Sequence, residues 1–144
     1  MKDNINLQNE IENIEYRIEM EAQLAYDIWF MNDHSKNEWD EDFSWDNNCF
    51  PIEVGNGWLY PLYTLCTRLL TEVKSNFKVT QIKEKFGGAR FYYSGGITPY
   101  GEQLIAEFEK ESETICEHCG KPGQIRGTGW YMTLCDECWK EYRK

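Results

Sequence analysis

The 144-residue sequence predicts an α+β fold, with helices packed on a β-hairpin and a C-terminal module organised by four cysteines. Three observations carry that prediction. Apolar residues recur at helical spacing in residues 7–31 and 58–74, two β-prone runs flank Gly87-Gly88, and two Cys-x-x-Cys pairs close the chain. The boundaries read as an α+β domain over 1–113, with an acidic N-terminal helix and loop, and a four-cysteine module over 114–144 packed on it. No proline-, serine- or glycine-rich linker divides the two.

In residues 7–31, Ile11, Ile14, Ile18, Ala25 and Ile28 are spaced by three, four or seven, with polar residues between them. That stripe predicts a helix docked on the core by one face. A helix reserved for a partner is the alternative. Arg17 stands four residues before Glu21, which supports an i,i+4 ion pair.

Residues 32–50 have no sustained period. They set Trp39, Phe43 and Trp45 among Asp40, Glu41 and Asp42. A solvated loop anchored by its rings is one reading. The other is a contact for a basic protein partner, in which Trp39, Asp40, Glu41, Asp42 and Trp45 grip lysine or arginine.

Gly55-Asn56-Gly57 breaks the chain before a helix near Trp58 to Lys74. Leu62, Cys66, Leu69, Leu70 and Val73 mark its buried face, and Pro61 fits the first turn. The runs Phe77–Phe86 and Ala89–Tyr93 predict a hairpin turning at the diglycine. Thr98-Pro99 opens a helix that runs to about Glu113, buried through Leu104, Ile105 and Phe108.

Cys116-Glu-His-Cys119 and Cys135-Asp-Glu-Cys138 are separated by fifteen residues. This is the spacing at which two tight turns bring four sulfurs onto one tetrahedral ion. Between the pairs, Gln124 to Leu134 can form a short hairpin, and the second pair opens a helix. Knuckle, hairpin and helix make a treble clef, and a zinc ribbon is the alternative. The metal ligands are therefore Cys116, Cys119, Cys135 and Cys138, and the cofactor is structural Zn²⁺, since four thiolates leave no coordination position for water. Disulfides suit a secreted chain, and no apolar secretory segment opens this one. A redox dithiol needs one reactive pair, and Asp136 and Glu137 are expected to raise thiol pKa values here. His118 is expected on the exposed side of the knuckle. Cys49 and Cys66 read as small apolar residues.

The 22 aromatic residues predict a ring-rich core. The net charge of −10 is uneven: residues 1–56 hold 14 acidic and 3 basic side chains, whereas 57–144 hold 11 and 12. Attraction of the whole molecule to nucleic acid is disfavoured, and a basic protein partner is accommodated more easily. No run of about 18 apolar residues predicts a membrane span. An intracellular protein is expected.

Residues 81–93, Gln-Ile-Lys-Glu-Lys-Phe-Gly-Gly-Ala-Arg-Phe-Tyr-Tyr, resemble a stretch of small phage and prophage proteins. The run Cys-Glu-His-Cys-Gly-Lys-Pro-Gly through Gly-Trp-Tyr-Met-Thr-Leu-Cys-Asp-Glu-Cys resembles the tail of the same zinc-binding family, and Gly55-Asn-Gly-Trp58 also fits. The resemblance covers roughly residues 55–138. It implies a viral or mobile-element origin, action in the host bacterial cytoplasm and a small zinc protein, without assigning a reaction.

No catalytic constellation is recognisable. Histidine is confined to His34 and His118, and no phosphate loop or nucleophile elbow occurs. Binding is the expected class, and three readings follow. One is non-catalytic binding of a host protein, such as a defence protein that it inhibits. The second is binding of nucleic acid or a nucleotide through Lys83, Lys85, Arg90 and Arg126, if these converge beside Tyr92, Tyr93 or Trp130. Solvated or ion-paired side chains are the alternative for those four. The third is a structural role in a virion or assembly complex.

Overall fold

A computed structural model describes residues 2–32 and 52–144, with side chains from residue 7 onward. The order is α1 (Lys2–Met31), β1 (Ile52–Glu53), a 3₁₀ turn (Asn56–Trp58), α2 (Leu59–Leu69), β2 (Lys78–Lys85), β3 (Gly88–Ser94), α3 (Pro99–Ser112), β4 (Gln124–Arg126), β5 (Met132–Leu134) and α4 (Asp136–Tyr142). Strands β1-β2-β3 form one sheet and β4-β5 a second. The architecture is α+β, as the sequence predicts. The segment carrying Trp39, Asp40, Glu41, Asp42 and Trp45 lies outside the described residues, as does Cys49.

The core is one cluster that includes Leu24, Ile28, Trp58, Leu62, Leu69, Phe77, Ile82, Phe91 and Phe108. It is less ring-rich than the composition predicts: Trp58, Phe77, Phe91 and Phe108 are its buried aromatics among mostly aliphatic residues, while rings such as Tyr26, Phe30, Tyr60 and Trp130 are exposed. Cys66 is buried in it, and burial pushes its thiol pKa up.

Helix α1 departs from expectation in its docked face. Ala25 and Ile28 are buried, but Leu7, Ile11, Ile14 and Ile18 are 56, 39, 59 and 62% exposed. The docked face instead carries Leu24, Ile28 and Met31, and one cation fixes the helix higher up. Arg17 pairs with Glu21 at 2.7 Å and donates to the carbonyls of Ile52 and Val54 at 2.7 and 2.6 Å. A guanidinium can serve several acceptors in a fork, so this residue anchors the helix where apolar packing has ended. The 4-3-4 apolar stripe is left on a different side.

Helix α2 stops at Leu69, five residues short of the predicted Lys74. The chain there turns to meet the segment before α3: Lys74 N–H bonds Gly96 O, Thr98 N–H bonds Glu72 O, and Val73 bridges Ile97. These long-range bonds replace the next helical turn. Helix α3 opens as predicted, with the Thr98 hydroxyl accepting Gly101 N–H at 3.0 Å and proline in the first turn.

The hairpin turns one residue earlier than the diglycine suggests. Lys85 pairs with Gly88, so Phe86 and Gly87 form a two-residue turn, both at positive φ (56° and 86°). Strand β1 pairs in parallel with β2 and was not predicted; two residues are too few to show a period. The free edge of β3 is covered by α3, where Ser112 Oγ and Glu109 Oε2 accept the amides of Ala89 and Phe91.

Asp27 is a buried carboxylate on the inner side of α1, 3.5 Å from the Thr67 hydroxyl. Burial raises its pKa, and the Thr67 bond opposes that only in part. The folded state therefore holds this proton more tightly than the unfolded chain. Its stabilising share is complete below the ordinary carboxylate pKa and is lost as pH rises through the raised value. In thermal melts across the acid-to-neutral range, Asp27→Asn should gain stability over the parent as pH rises above the ordinary carboxylate pKa, and the gain should level off once the raised value is passed. A deficit at pH 8 would contradict this.

Candidate metal centre

Each half of the centre is built by local backbone geometry. In the first knuckle, Gly120 N–H closes a turn onto Cys116 O at 2.9 Å, and Gly120 takes φ 85°, which a side chain would disfavour. The second half sits at the start of α4. Cys135 is its N-cap, and the Cys135 sulfur accepts Cys138 N–H at 3.4 Å. The β4-β5 hairpin joins the two, in the register Gln124↔Leu134, Ile125↔Thr133 and Arg126↔Met132.

These turns bring the Sγ atoms of Cys116, Cys119, Cys135 and Cys138 all within 4.8 Å of one another. A tetrahedron with metal–sulfur bonds of about 2.3 Å has edges of about 3.8 Å, so the four sulfurs fit one ion. The Cys119–Cys135 sulfur separation of 3.6 Å matches such an edge and is far longer than a disulfide of about 2.05 Å. Four soft donors suit a thiophilic ion. Their closed shell leaves no position for an activated water, so the group would supply cross-linking.

The acidic neighbours do not raise every thiol, contrary to the expectation from Asp136 and Glu137. Cys135 is lowered to about 7, chiefly because the Cys138 amide donates to its sulfur. Cys119 and Cys138 are raised, with desolvation as the first cause. His118 is exposed, and its Nδ1 lies 3.4 Å from Cys138 Sγ, where an N–H can donate to a thiolate without joining the sulfur cluster.

The centre is fastened to the core along one seam. Trp58 Nε1 donates to Ile115 O at 2.7 Å, Gly57 N–H to Glu117 O at 2.7 Å, and Thr133 Oγ1 to Gly87 O at 2.5 Å. A Cβ on Gly57 would sit 1.9 Å from Cys116 O, so glycine is required for this approach. Glu117 also accepts Gly55 N–H at 3.0 Å. A groove of about 540 Å³ beside the cysteines is lined by Met132, Leu134 and Tyr142 together with Glu117, Glu137 and Glu141, of which Glu137 pairs with Lys121 and Glu141 with Lys144.

The four predicted basic residues do not all meet. Lys83 and Arg90 are directly opposed on β2 and β3, and Lys85 is on the same face. Arg126 is diverted: it pairs with Asp136 at 2.5 Å and donates to Leu134 O at 3.2 Å, stapling β4 to the start of α4. Tyr93 is on the core face, stacked on Phe77 at 5.3 Å, whereas Tyr92 is 40% exposed beside the cations. Trp130 is exposed in the β4-β5 loop. Phe86 was not singled out from sequence, because a phenylalanine carries no signal of a left-handed turn.

Among the described residues no helix is long and apolar enough to cross a membrane. No protein-family model, curated protein or solved structure matches the chain.

Proposed function

We propose that this chain is a zinc-stapled, non-catalytic binding protein whose N-terminal helix grips a basic amphipathic helix of another protein. The exposed stripe of Leu7, Ile11, Ile14 and Ile18 carries this reading. Four apolar side chains at 4-3-4 spacing form the seam that one helix offers another. Glu10, Glu12, Glu15 and Glu19 flank it, and Arg17, the cation among them, already serves β1 and Glu21. The charge complement is therefore a lysine- or arginine-rich partner. Zinc is the ion the four-thiolate set suits, and its place is structural, in a treble-clef arrangement.

The resemblance to small phage and prophage proteins makes a host bacterial protein the partner of choice, and blocking a defence protein is the task such an arm can perform without chemistry. Affinity capture from bacterial lysate tests this with paired baits. A partner retained by the parent chain should be lost from an Ile14→Glu, Ile18→Glu double variant whose melting temperature stays within about 3 °C, since exposed substitutions shift stability by about 0.5 kcal/mol or less. Added salt should also weaken retention. Equal capture by both baits would refute the arm. A dimer in solution that the double variant converts to monomer would reassign the stripe to self-association.

A second reading, attachment of a nucleic-acid strand, draws on a separate observation: Lys83, Lys85 and Arg90 share one face of the sheet.

A further inference from the structure

The turn between β2 and β3 is unusual in its chemistry. Two-residue turns with both residues at positive φ favour asparagine, aspartate or glycine at the first position. Here that position is Phe86, at φ 56° and with 65% of its surface exposed. A bulky residue in the left-handed region is disfavoured by about 1 kcal/mol or more. The ring recovers little of that by burial. What it does have beside it is a cation, with Lys85 Nζ 5.6 Å from the ring centroid. An exposed aromatic is thus held on a rigid tip at a cost the fold does not require.

The surface leading from that tip has a matching character. Alternation along the strands puts Gln81, Lys83 and Lys85 of β2 on the face opposite Ile82, and the register places Tyr92, Arg90 and Gly88 across from them. From Lys85 to Gln81 the row runs roughly 13 Å. It presents three cations, the exposed Tyr92 ring and the Gln81 amide, and it ends at Phe86. Glu53, in register with Lys83 on β1, and Glu113, near Gly88, offset part of the positive charge on this face, and Glu84, on the opposite face by alternation, brings a further carboxylate to the turn, where it accepts Gly87 N–H at 2.9 Å. Arg90 Nη1 also donates to its own strand at Ala89 O, which holds its guanidinium close to the sheet.

We infer that this outer sheet face, with the Phe86 turn at its end, is a platform for single-stranded nucleic acid. Tyr92 and Phe86 stack bases, and Lys83, Lys85 and Arg90 face the phosphates. The inference deepens the second reading above and is independent of the helical arm. A sheet face that combines exposed rings with cations binds unpaired bases through their faces, which a duplex hides. An acidic protein surface would use the cations but have no use for the two rings. Because the rest of the molecule is acidic, binding is local and sensitive to salt.

Fluorescence anisotropy with labelled oligo-dT and oligo-U of about twelve nucleotides tests this on the 144-residue, metal-loaded chain. Binding is expected at about 20 mM salt with a dissociation constant of roughly 10–100 µM, tighter for single strands than for a duplex of equal length. Three phosphate contacts give a salt slope near −2, so a tenfold rise in salt should weaken binding about 100-fold. Lys83→Glu with Arg90→Glu should abolish binding. Phe86→Gly is the sharper variant. Glycine accepts the turn more readily, so its melting temperature should hold or rise, while affinity falls about tenfold. No binding at low salt, unchanged affinity in Phe86→Gly, or equal competition by a poly-glutamate peptide would each overturn the inference. Charge-neutral variants on α1, such as Glu12→Gln with Glu15→Gln, should leave oligonucleotide binding in place; its loss there would also count against the sheet face.

Discussion

Trp58→Ala is expected to lower the melting temperature by about 12–20 °C and to loosen the core and the cysteine module together. Trp58 is fully buried in the core cluster, and its indole N–H reaches Ile115 O at the entrance to the module. Truncating such a side chain costs about 3–5 kcal/mol in lost packing and cavity. The stranded Ile115 carbonyl adds about 1–3 kcal/mol if water cannot reach it. Against a typical total of about 5–15 kcal/mol, that is a large fraction. Trp58→Phe separates the two contributions, because it keeps a ring and removes the N–H; its loss should be about half as large. Thermal denaturation followed by fluorescence and far-UV circular dichroism provides the check. A drop of less than about 5 °C in Trp58→Ala would show that this residue does not couple the two parts.

Cys119→Ser should unfold the tail while leaving the sheet in place. The module has little apolar material of its own: Cys116, Leu134 and Cys135 are its buried cluster, with Met132, Cys138 and Trp139 against it. Its strands are three residues each, and α4 has no fully buried side chain. A structural zinc supplies about 10–16 kcal/mol of apparent binding free energy in small domains, far more than such a cluster can. A serine hydroxyl is a poor substitute for thiolate, so much of that is lost. Amide spectra should then collapse for residues 116–142 and persist for β2, β3 and α3. A strong chelator added to the parent chain should reproduce the pattern, and limited proteolysis should cut near Lys121 and Arg126. An unchanged spectrum in the variant would mean that hydrogen bonding alone holds the tail.

What the sequence disclosed was chiefly local. The cysteine spacing predicted the sulfur cluster because two tight turns impose the geometry within a few residues. The Thr98 cap and the β2-β3 alternation are equally short-range, and both appear with the expected boundaries to within a residue or two. The errors arise where a distant partner decides. The apolar stripe of α1 reads like any docked face, yet Arg17 and Leu24 turn a different side inward. The end of α2 is set by Gly96 and Ile97, more than twenty residues on. Arg126 cannot be assigned to Asp136 until β5 has folded back beside β4. Gly57 is the instructive intermediate case: its place beside a tryptophan was legible as a break, but the need for glycine comes from Cys116 O, nearly sixty residues later.

The account rests on four sulfurs sharing one ion. Native mass spectrometry with elemental analysis, on protein purified without chelator under reducing conditions, tests that directly. One zinc per chain is predicted, displaced when Cys119 is replaced by serine. A folded, metal-free chain, or a Cys119–Cys135 disulfide in its place, would contradict it.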